Sequence, residues 1–126
     1  MAKILFIDDD QATLQLMERL AQFLNHEASS SGSVEDGLTM AAQEQPDLVF
    51  VDMQMSGMDG VEFTRRLRGN LVTQHIPCVI LSADKTRDEI SAAKSVGANG
   101  FFLKPVSTDE ITRVIKHFAD RKKKTG

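Results

Sequence analysis

The sequence predicts an α/β fold, a single doubly wound (βα)5 domain built around a five-stranded parallel sheet. Short apolar runs rich in Ile, Val, Leu and Phe alternate along the chain with segments of helical period, which is the pattern of βα units. The length of 126 residues suits one domain with its own core and is too short for two ordinary ones. We expect the domain to span residues 1–120, with residues 121–126 forming a basic tail or the start of a linker.

Five strands are predicted from the apolar runs. They are placed at residues 3–7, 27–30, 48–51, 78–81 and 100–103. The second run is short and polar, which suits an edge strand better than the middle of a sheet. The other four runs are predicted to be fully buried, as central strands of a parallel sheet are.

Each of the five predicted helices combines a start signal with apolar residues three and four positions apart. Four helices open with a Ser, Thr or Asp three residues before an acidic residue, as in a capping box. The pairs are Ser33 and Asp36, Asp59 and Glu62, Thr86 and Glu89, and Ser107 and Glu110. Pro46 should end the second helix and Gly97 the fourth.

The composition is that of a globular protein, with 41% hydrophobic and 26% charged residues. No run approaches the roughly 20 apolar residues of a membrane span, and no secretory cleavage signal follows the N-terminus, so we expect a cytoplasmic location and no membrane partner. Cys78 is the only cysteine, which excludes an internal disulfide. The net charge of −3 argues against direct nucleic-acid binding.

Ionisable and hydroxyl side chains stand where four of the predicted strands end. Asp8 and Asp9 follow the first strand, Asp52 the third, Ser82 the fourth and Lys104 the fifth. Ligands of doubly wound sheets bind at the carboxyl ends of the strands, so these groups should converge on one rim. Carboxylates that emerge together from a hydrophobic sheet repel one another, and their pKa values should rise unless cations compensate.

Magnesium-assisted phosphoryl chemistry is the simplest interpretation of this set. Mg²⁺ prefers oxygen ligands, which Asp9 and Asp52 can provide. Phosphoryl transfer needs positioning and neutralised charge more than acid-base chemistry, and Lys104 supplies an ammonium group. The Ser82 hydroxyl can donate to a phosphoryl oxygen, and a carboxylate can itself be the nucleophile. Neighbouring Asp10 is interpreted as a helix cap.

The three histidines are interpreted as surface residues, because their spacing suggests no site. They are His26, His75 and His117.

Four segments together resemble the receiver domain of two-component response regulators, from Lys3 to the last helix. They are Asp8-Asp9, residues 52–60 (DMQMSGMDG), Ser82-Ala83, and residues 97–105 (GANGFFLKP). Each segment alone is a weak signal, but their order and their places at strand ends make the set specific. The resemblance implies a flavodoxin-like fold with strand order 2-1-3-4-5.

The resemblance also implies roles for the site residues. Asp52 would accept a phosphoryl group from the phosphohistidine of a sensor histidine kinase or phosphotransfer protein, and the domain would catalyse this transfer and the later hydrolysis. Mg²⁺ would be held by Asp8, Asp9, Asp52 and the main-chain carbonyl of Gln54. Ser82 and Lys104 would contact the phosphoryl group.

Phosphorylation would draw the Ser82 hydroxyl to the new charge and let Phe101 turn inward, which would change the surface of helix four, strand five and helix five. That surface would control a downstream output protein or domain, and it could support a phosphorylation-dependent homodimer. The Lys104–Pro105 bond resembles the family's cis peptide. Ser56 stands where the family commonly has proline, Ser82 replaces the commoner threonine, and Phe101 replaces the frequent tyrosine.

Two other functions fit parts of the sequence. Asp8 and Asp10 have the Asp-x-Asp spacing of an aspartyl phosphohydrolase, but the chain leaves no room for a cap domain. A pseudo-receiver that is not phosphorylated could serve as an interaction or dimerisation module through helices four and five. Against it, every expected acceptor, metal and lysine position is filled. The cognate kinase, the output partner and the phosphoryl lifetime are not legible in the sequence.

Overall fold

Five strands alternate with five helices in the computed structural model, which describes residues 1–55 and 57–125, with side chains through residue 118. The elements are β1 Lys3–Ile7, α1 Gln11–Phe23, β2 Glu27–Ser31, α2 Val34–Glu44, β3 Leu48–Asp52, α3 Gly60–Arg68, β4 Cys78–Ser82, α4 Arg87–Ser95, β5 Gly100–Leu103 and α5 Thr108–Thr125. The (βα)5 alternation predicted from the sequence is therefore confirmed. The backbone of the basic residues 121–124 belongs to α5. The side chains of residues 119–125, together with Ser56 and Gly126, lie outside the described residues.

All strand pairs of the sheet are parallel, and the strand order is β2-β1-β3-β4-β5. The predicted order and the doubly wound topology are confirmed. Because the chain starts near the centre and winds outward in both directions, helices cover both faces of the sheet. Among the described residues, no helix has the length and apolar character to cross a bilayer.

Each central strand serves two cores, because successive side chains point to opposite faces of a sheet. Ile4 and Phe6 of β1 belong to the core on the side of α1 and α5. Leu5 and Ile7 belong to the core on the side of α2 and α3. Phe6 stacks on Phe50 of β3 with ring centroids 5.5 Å apart. Packing in these two cores fixes the positions of the strand ends relative to one another.

The confirmed strand order puts β2 and β5 at the two edges, but the burial predicted from the apolar runs is wrong for β5. β2 is an edge strand, as its polar sequence indicates. β5, predicted to be fully buried, is the opposite edge, and Leu103 is 45% exposed. An apolar run shows that the side chains of a strand are hydrophobic, but it does not show whether the strand has a neighbour on one side or on both.

The predicted helix starts are confirmed by side-chain caps. The N-cap side chain accepts from the N–H three residues on in four helices: Ser33 from Asp36 at 3.2 Å, Asp59 from Glu62 at 2.8 Å, Thr86 from Glu89 at 3.1 Å and Ser107 from Glu110 at 3.1 Å. Each cap is worth about 1 kcal/mol. Asp10 occupies the N-cap position of α1, where its carboxylate accepts the Thr13 hydroxyl at 2.6 Å.

Leu67→Ala should lower the free energy of unfolding by about 2–5 kcal/mol, because Leu67 of α3 is fully buried and its truncation leaves a cavity. The matched control is Leu71→Ala, which removes the same atoms from a side chain that is 84% exposed and should change stability by less than about 0.5 kcal/mol. Urea unfolding followed by far-ultraviolet circular dichroism measures both. Equal losses in the two variants would contradict the packing described.

Candidate functional site

The carboxyl ends of the central strands meet at one rim of the sheet. The register pairs Asp52 with Leu81 and Ser82 with Leu103. Two residues extend their strands beyond the sheet: the Asp8 N–H donates to the Ser31 carbonyl at 3.1 Å, and the Lys104 N–H donates to the Ser82 carbonyl at 2.7 Å. These backbone bonds fix the direction in which the side chains leave the sheet.

Lys104 bridges two carboxylates that come from different strands. Its Nζ lies 3.0 Å from Oδ2 of Asp8 and 3.0 Å from Oδ1 of Asp52. Both aspartates are buried, whereas the lysine side chain is 28% exposed. One ammonium group therefore joins the ends of β1, β3 and β5 in a partly desolvated setting, where opposite charges attract more strongly than in water.

A third carboxylate completes the cluster. Ligand oxygens of Asp8, Asp9 and Asp52 all lie within 4.8 Å of one another, and Asp9 is the exposed member. Oδ1 of Asp8 accepts the Asp10 N–H at 2.9 Å, which orients that side chain. Three carboxylates face one bridging ammonium, so negative charge is left over. An oxygen-only donor set with excess negative charge suits a hard divalent cation.

The electrostatics of the cluster agree with this imbalance. Burial raises the pKa of Asp52, and the repulsion of Asp8 and Asp9 adds to the effect, while the bond to Lys104 only partly offsets it. Burial alone would lower the pKa of Lys104, but its hydrogen bonds and charge interactions with Asp8 and Asp52 raise it overall. Lys104 thus stays charged at neutral pH, and Asp52 is ionised at a cost.

The start of α3 packs directly against the end of β3. A Cβ atom at Gly60 would lie 2.8 Å from the Asp52 carbonyl oxygen, so only glycine allows this approach. The Gly60 N–H donates to the Met53 carbonyl at 2.9 Å. The exposed Gln54 side chain lies beside this turn and lines an open cleft of about 740 Å³, whose walls include Asp9 and residues of α4. The cleft therefore reaches the cluster at Asp9.

The structure places the remaining predicted residues around this cluster. Ser82 is buried, and its hydroxyl donates to the Asp84 carbonyl at 2.7 Å, which directs it into the β4–α4 connection. Phe101 is half-buried and packs against the core on the side of α2 and α3. The Lys104–Pro105 peptide is cis, as the resemblance implies. The structure thus brings Asp8, Asp9, Asp52 and Lys104 together in one cluster. Ser82 is next to it, because its carbonyl accepts the Lys104 N–H.

Two residues have roles that the sequence interpretation missed. The sequence predicts Glu89 only as part of a helix cap, but its Oε1 lies 3.3 Å from the Ser82 hydroxyl. The sequence predicts His26 to be a surface residue, but it is half-buried and its Nδ1 accepts the Ala2 N–H at 3.0 Å. Neither contact leaves a signal in the sequence, because each joins residues that only the folded sheet brings together.

Comparisons with known proteins agree with the fold and show the family. Residues 4–116 match the family model described as the response regulator receiver domain. The chain belongs to this family. Receiver domains are the phosphorylated components of two-component systems, so the family assignment is consistent with a phosphoacceptor switch.

The chain matches very different shares of the length of its named relatives. The chain is 37% identical over 106 residues to the response regulator PleD of Caulobacter vibrioides, covering 83% of this chain and 23% of that protein. It is 30% identical over 116 residues to sporulation initiation phosphotransferase F of Bacillus subtilis, covering 92% of each. The solved receiver domain of a sensor histidine kinase from Pseudomonas aeruginosa PAO1, which has a magnesium ion coordinated in its active-site cleft, has a TM-score of 0.85 at 19% identity and covers 93% of this chain and 96% of its own.

Asp52→Asn should make the receiver domain more stable at neutral pH when divalent cations are removed. Because the folded-state pKa of Asp52 lies above the ordinary 3.8, the folded state holds this proton more tightly than the unfolded state does. The free energy of unfolding therefore falls as pH rises from the ordinary pKa through the raised one. The variant does not show this fall, because its asparagine has no proton to lose at this position. Thermal unfolding of both proteins in a chelator at a series of pH values measures the difference.

The stability gain of Asp52→Asn should shrink as pH falls through the raised pKa and disappear in acid. A variant that is less stable than the wild type at neutral pH, or a gain that is independent of pH, would contradict the electrostatics described for Asp52.

Proposed function

We propose that the receiver domain is a phosphorylation-activated signalling switch that accepts a phosphoryl group on Asp52. The phosphodonor is the phosphohistidine of a sensor histidine kinase or phosphotransfer protein. The observation that carries the proposal is the Lys104 ammonium bridging Asp8 and Asp52 at 3.0 Å from each, at the rim where an open cleft gives access.

The cluster fits Mg²⁺ by the chemistry of its donors. Three carboxylates with ligand oxygens within 4.8 Å of one another offer the hard oxygen atoms that this ion prefers. Asp8, Asp9, Asp52 and the main-chain carbonyl of Gln54 would hold it. Bound there, the ion would neutralise carboxylate charge and polarise the phosphoryl oxygens. The magnesium in the similar receiver domain from Pseudomonas aeruginosa supports this assignment.

Asp52 acts as the nucleophile in the proposed transfer. A carboxylate oxygen attacks phosphorus, the bond from phosphorus to the donor's imidazole nitrogen breaks, and the electron pair leaves with that nitrogen. Lys104 holds the carboxylate through Oδ1 and lies close enough to neutralise charge on the transferred group. Water later hydrolyses the aspartyl phosphate, which releases inorganic phosphate and restores the carboxylate. In this proposal the domain itself catalyses both its phosphorylation and its dephosphorylation.

Ser82 and Phe101 carry the response to the surface. The Ser82 hydroxyl, which now donates into the β4–α4 connection, would turn to the phosphoryl group as a donor. Phe101, half-buried on the edge strand β5, would turn inward into the space that this movement opens. The surface of α4, β5 and α5 would then differ between the two states.

The partners follow from this cycle. A histidine kinase or phosphotransfer protein donates the phosphoryl group, and an output protein or domain binds the altered surface, which a second copy of the chain could also use. The Bacillus relative is named a phosphotransferase, and a relay role is compatible with the chain's match to 92% of its length. We place the domain at residues 1–120. The cytoplasmic location stays a prediction.

Incubation with acetyl phosphate and Mg²⁺ should give a single phosphoryl adduct by intact mass, and Asp52→Asn should abolish it. The control is Asp36→Asn, which removes an exposed carboxylate of α2 and should retain the adduct. Omission of Mg²⁺ should also prevent it, because the carboxylate cluster then repels the anionic donor.

An adduct that persists in Asp52→Asn would contradict the assignment of the acceptor. No adduct in the wild type, under conditions that phosphorylate another receiver domain and with no binding of beryllofluoride, would favour a pseudo-receiver that acts only as an interaction module.

Asp9→Asn should raise the Kd for Mg²⁺ by at least about tenfold, because a ligand carboxylate becomes a neutral amide. Asp88→Asn is the matched control: it removes the same charge from an exposed residue of the same cleft and should change the Kd less than about twofold, since solvent screens it. The chain has no Trp and no Tyr, so calorimetry or amide NMR must report the titration. Equal changes of the Kd in the two variants would contradict ligation by Asp9 and would mean that the negative charge of the cleft attracts Mg²⁺ only in a diffuse way.

A further inference from the structure

Two helices of this domain open with the same sequence pattern but use its glutamate differently. Thr86 and Glu89 begin α4, and Ser107 and Glu110 begin α5. In each pair the hydroxyl accepts the glutamate N–H at 3.1 Å. In α5 the glutamate carboxylate returns the bond and accepts the Ser107 N–H at 3.2 Å, which completes a capping box.

The Glu89 carboxylate of α4 is directed to the sheet. Its Oε1 lies 3.3 Å from the hydroxyl of Ser82 at the end of β4, and the residue is half-buried in the wall of the cleft. Among the hydrogen bonds of the described side chains, this carboxylate meets Ser82, and the reciprocal bond to the Thr86 N–H seen in α5 has no counterpart. The Glu89 carboxylate thus contacts the end of β4 and not its own helix cap.

The Ser82 hydroxyl has a single proton to donate. In the resting domain this proton is directed mainly to the Asp84 carbonyl at 2.7 Å, and Glu89 Oε1 at 3.3 Å is a second, longer acceptor; the Asp84 N–H donates back to the hydroxyl at 3.2 Å. All of these partners lie on the β4–α4 connection or on α4. A phosphoryl group on Asp52 needs the same proton, so the resting contacts compete with the response.

We propose that Glu89 is a positioning residue that holds the Ser82 hydroxyl toward α4 in the resting domain and releases it when the hydroxyl turns to the phosphoryl group. This inference rests on the proposed function of Asp52 and Ser82. Release of the hydroxyl from Glu89 would free α4 to move at the protein surface. Of the residues of α4, all of which the structure describes, only Ala93 is fully buried, so the helix has few contacts that would resist a shift.

The test is the affinity for beryllofluoride, an analogue of the phosphoryl group, measured on the full chain with Mg²⁺ by fluorine NMR. Glu89→Ala should bind it about twofold to tenfold more tightly, because the lost hydrogen bond exists only in the resting state. Glu89→Gln should stay close to the wild type, since its amide oxygen still accepts the proton. Glu110→Ala, which removes the equivalent glutamate of α5, should also leave the affinity unchanged.

The same substitution in a Ser82→Ala background separates positioning from general destabilisation. With no hydroxyl to release, Glu89→Ala should give no gain there. An equal gain without the hydroxyl, a gain in Glu110→Ala, or no gain in Glu89→Ala alone would each overturn the role of Glu89. Failure of the wild type to bind beryllofluoride is a distinct result, which would overturn the proposed function and this inference with it.

Discussion

The Lys104 ammonium between the carboxylates of Asp8 and Asp52 is the interaction on which the rest of the site depends. Each of the three residues comes from the end of a different strand, and none is near the others in sequence. Without the lysine, neighbouring buried carboxylates would repel one another and lose hydration with no compensation. The two cores on either side of the sheet hold the strand ends close enough for the bridge to form.

The Lys104 ammonium offsets only part of the negative charge of the three carboxylates. The remaining negative charge lowers the stability of the domain and at the same time suits the site to bind a cation. The raised pKa of Asp52 shows that its burial and its acidic neighbours outweigh the attraction of Lys104. A domain selected only for stability would lose one of these carboxylates. Retaining them makes sense where a cation and a phosphoryl group are to be bound, because both gain from charge arranged before they arrive.

Much of the fold could be predicted from the sequence, because its signals are local. Apolar runs marked the strands, and cap residues such as Ser33 and Asp59 marked helix starts that the structure confirms. The exposure of β5 could not be predicted from its apolar run, and only the strand order implied by the family resemblance places it at an edge. The candidate site was predicted by combining strand ends with a family resemblance. Glu89 was missed because its spacing from Thr86 already had an explanation as a helix cap, and its contact with Ser82 depends on the tertiary fold.

Direct titration of the Asp52 carboxyl carbon by NMR, in the wild type and in Lys104→Met without divalent cations, tests the central electrostatic claim. We expect Asp52 to titrate above the ordinary aspartate value of 3.8 in the wild type, and higher still in the variant, where no ammonium opposes burial and the neighbouring carboxylates. A wild-type pKa at or below 3.8, or no change on removal of Lys104, would contradict the view that this lysine partly compensates an under-neutralised cluster.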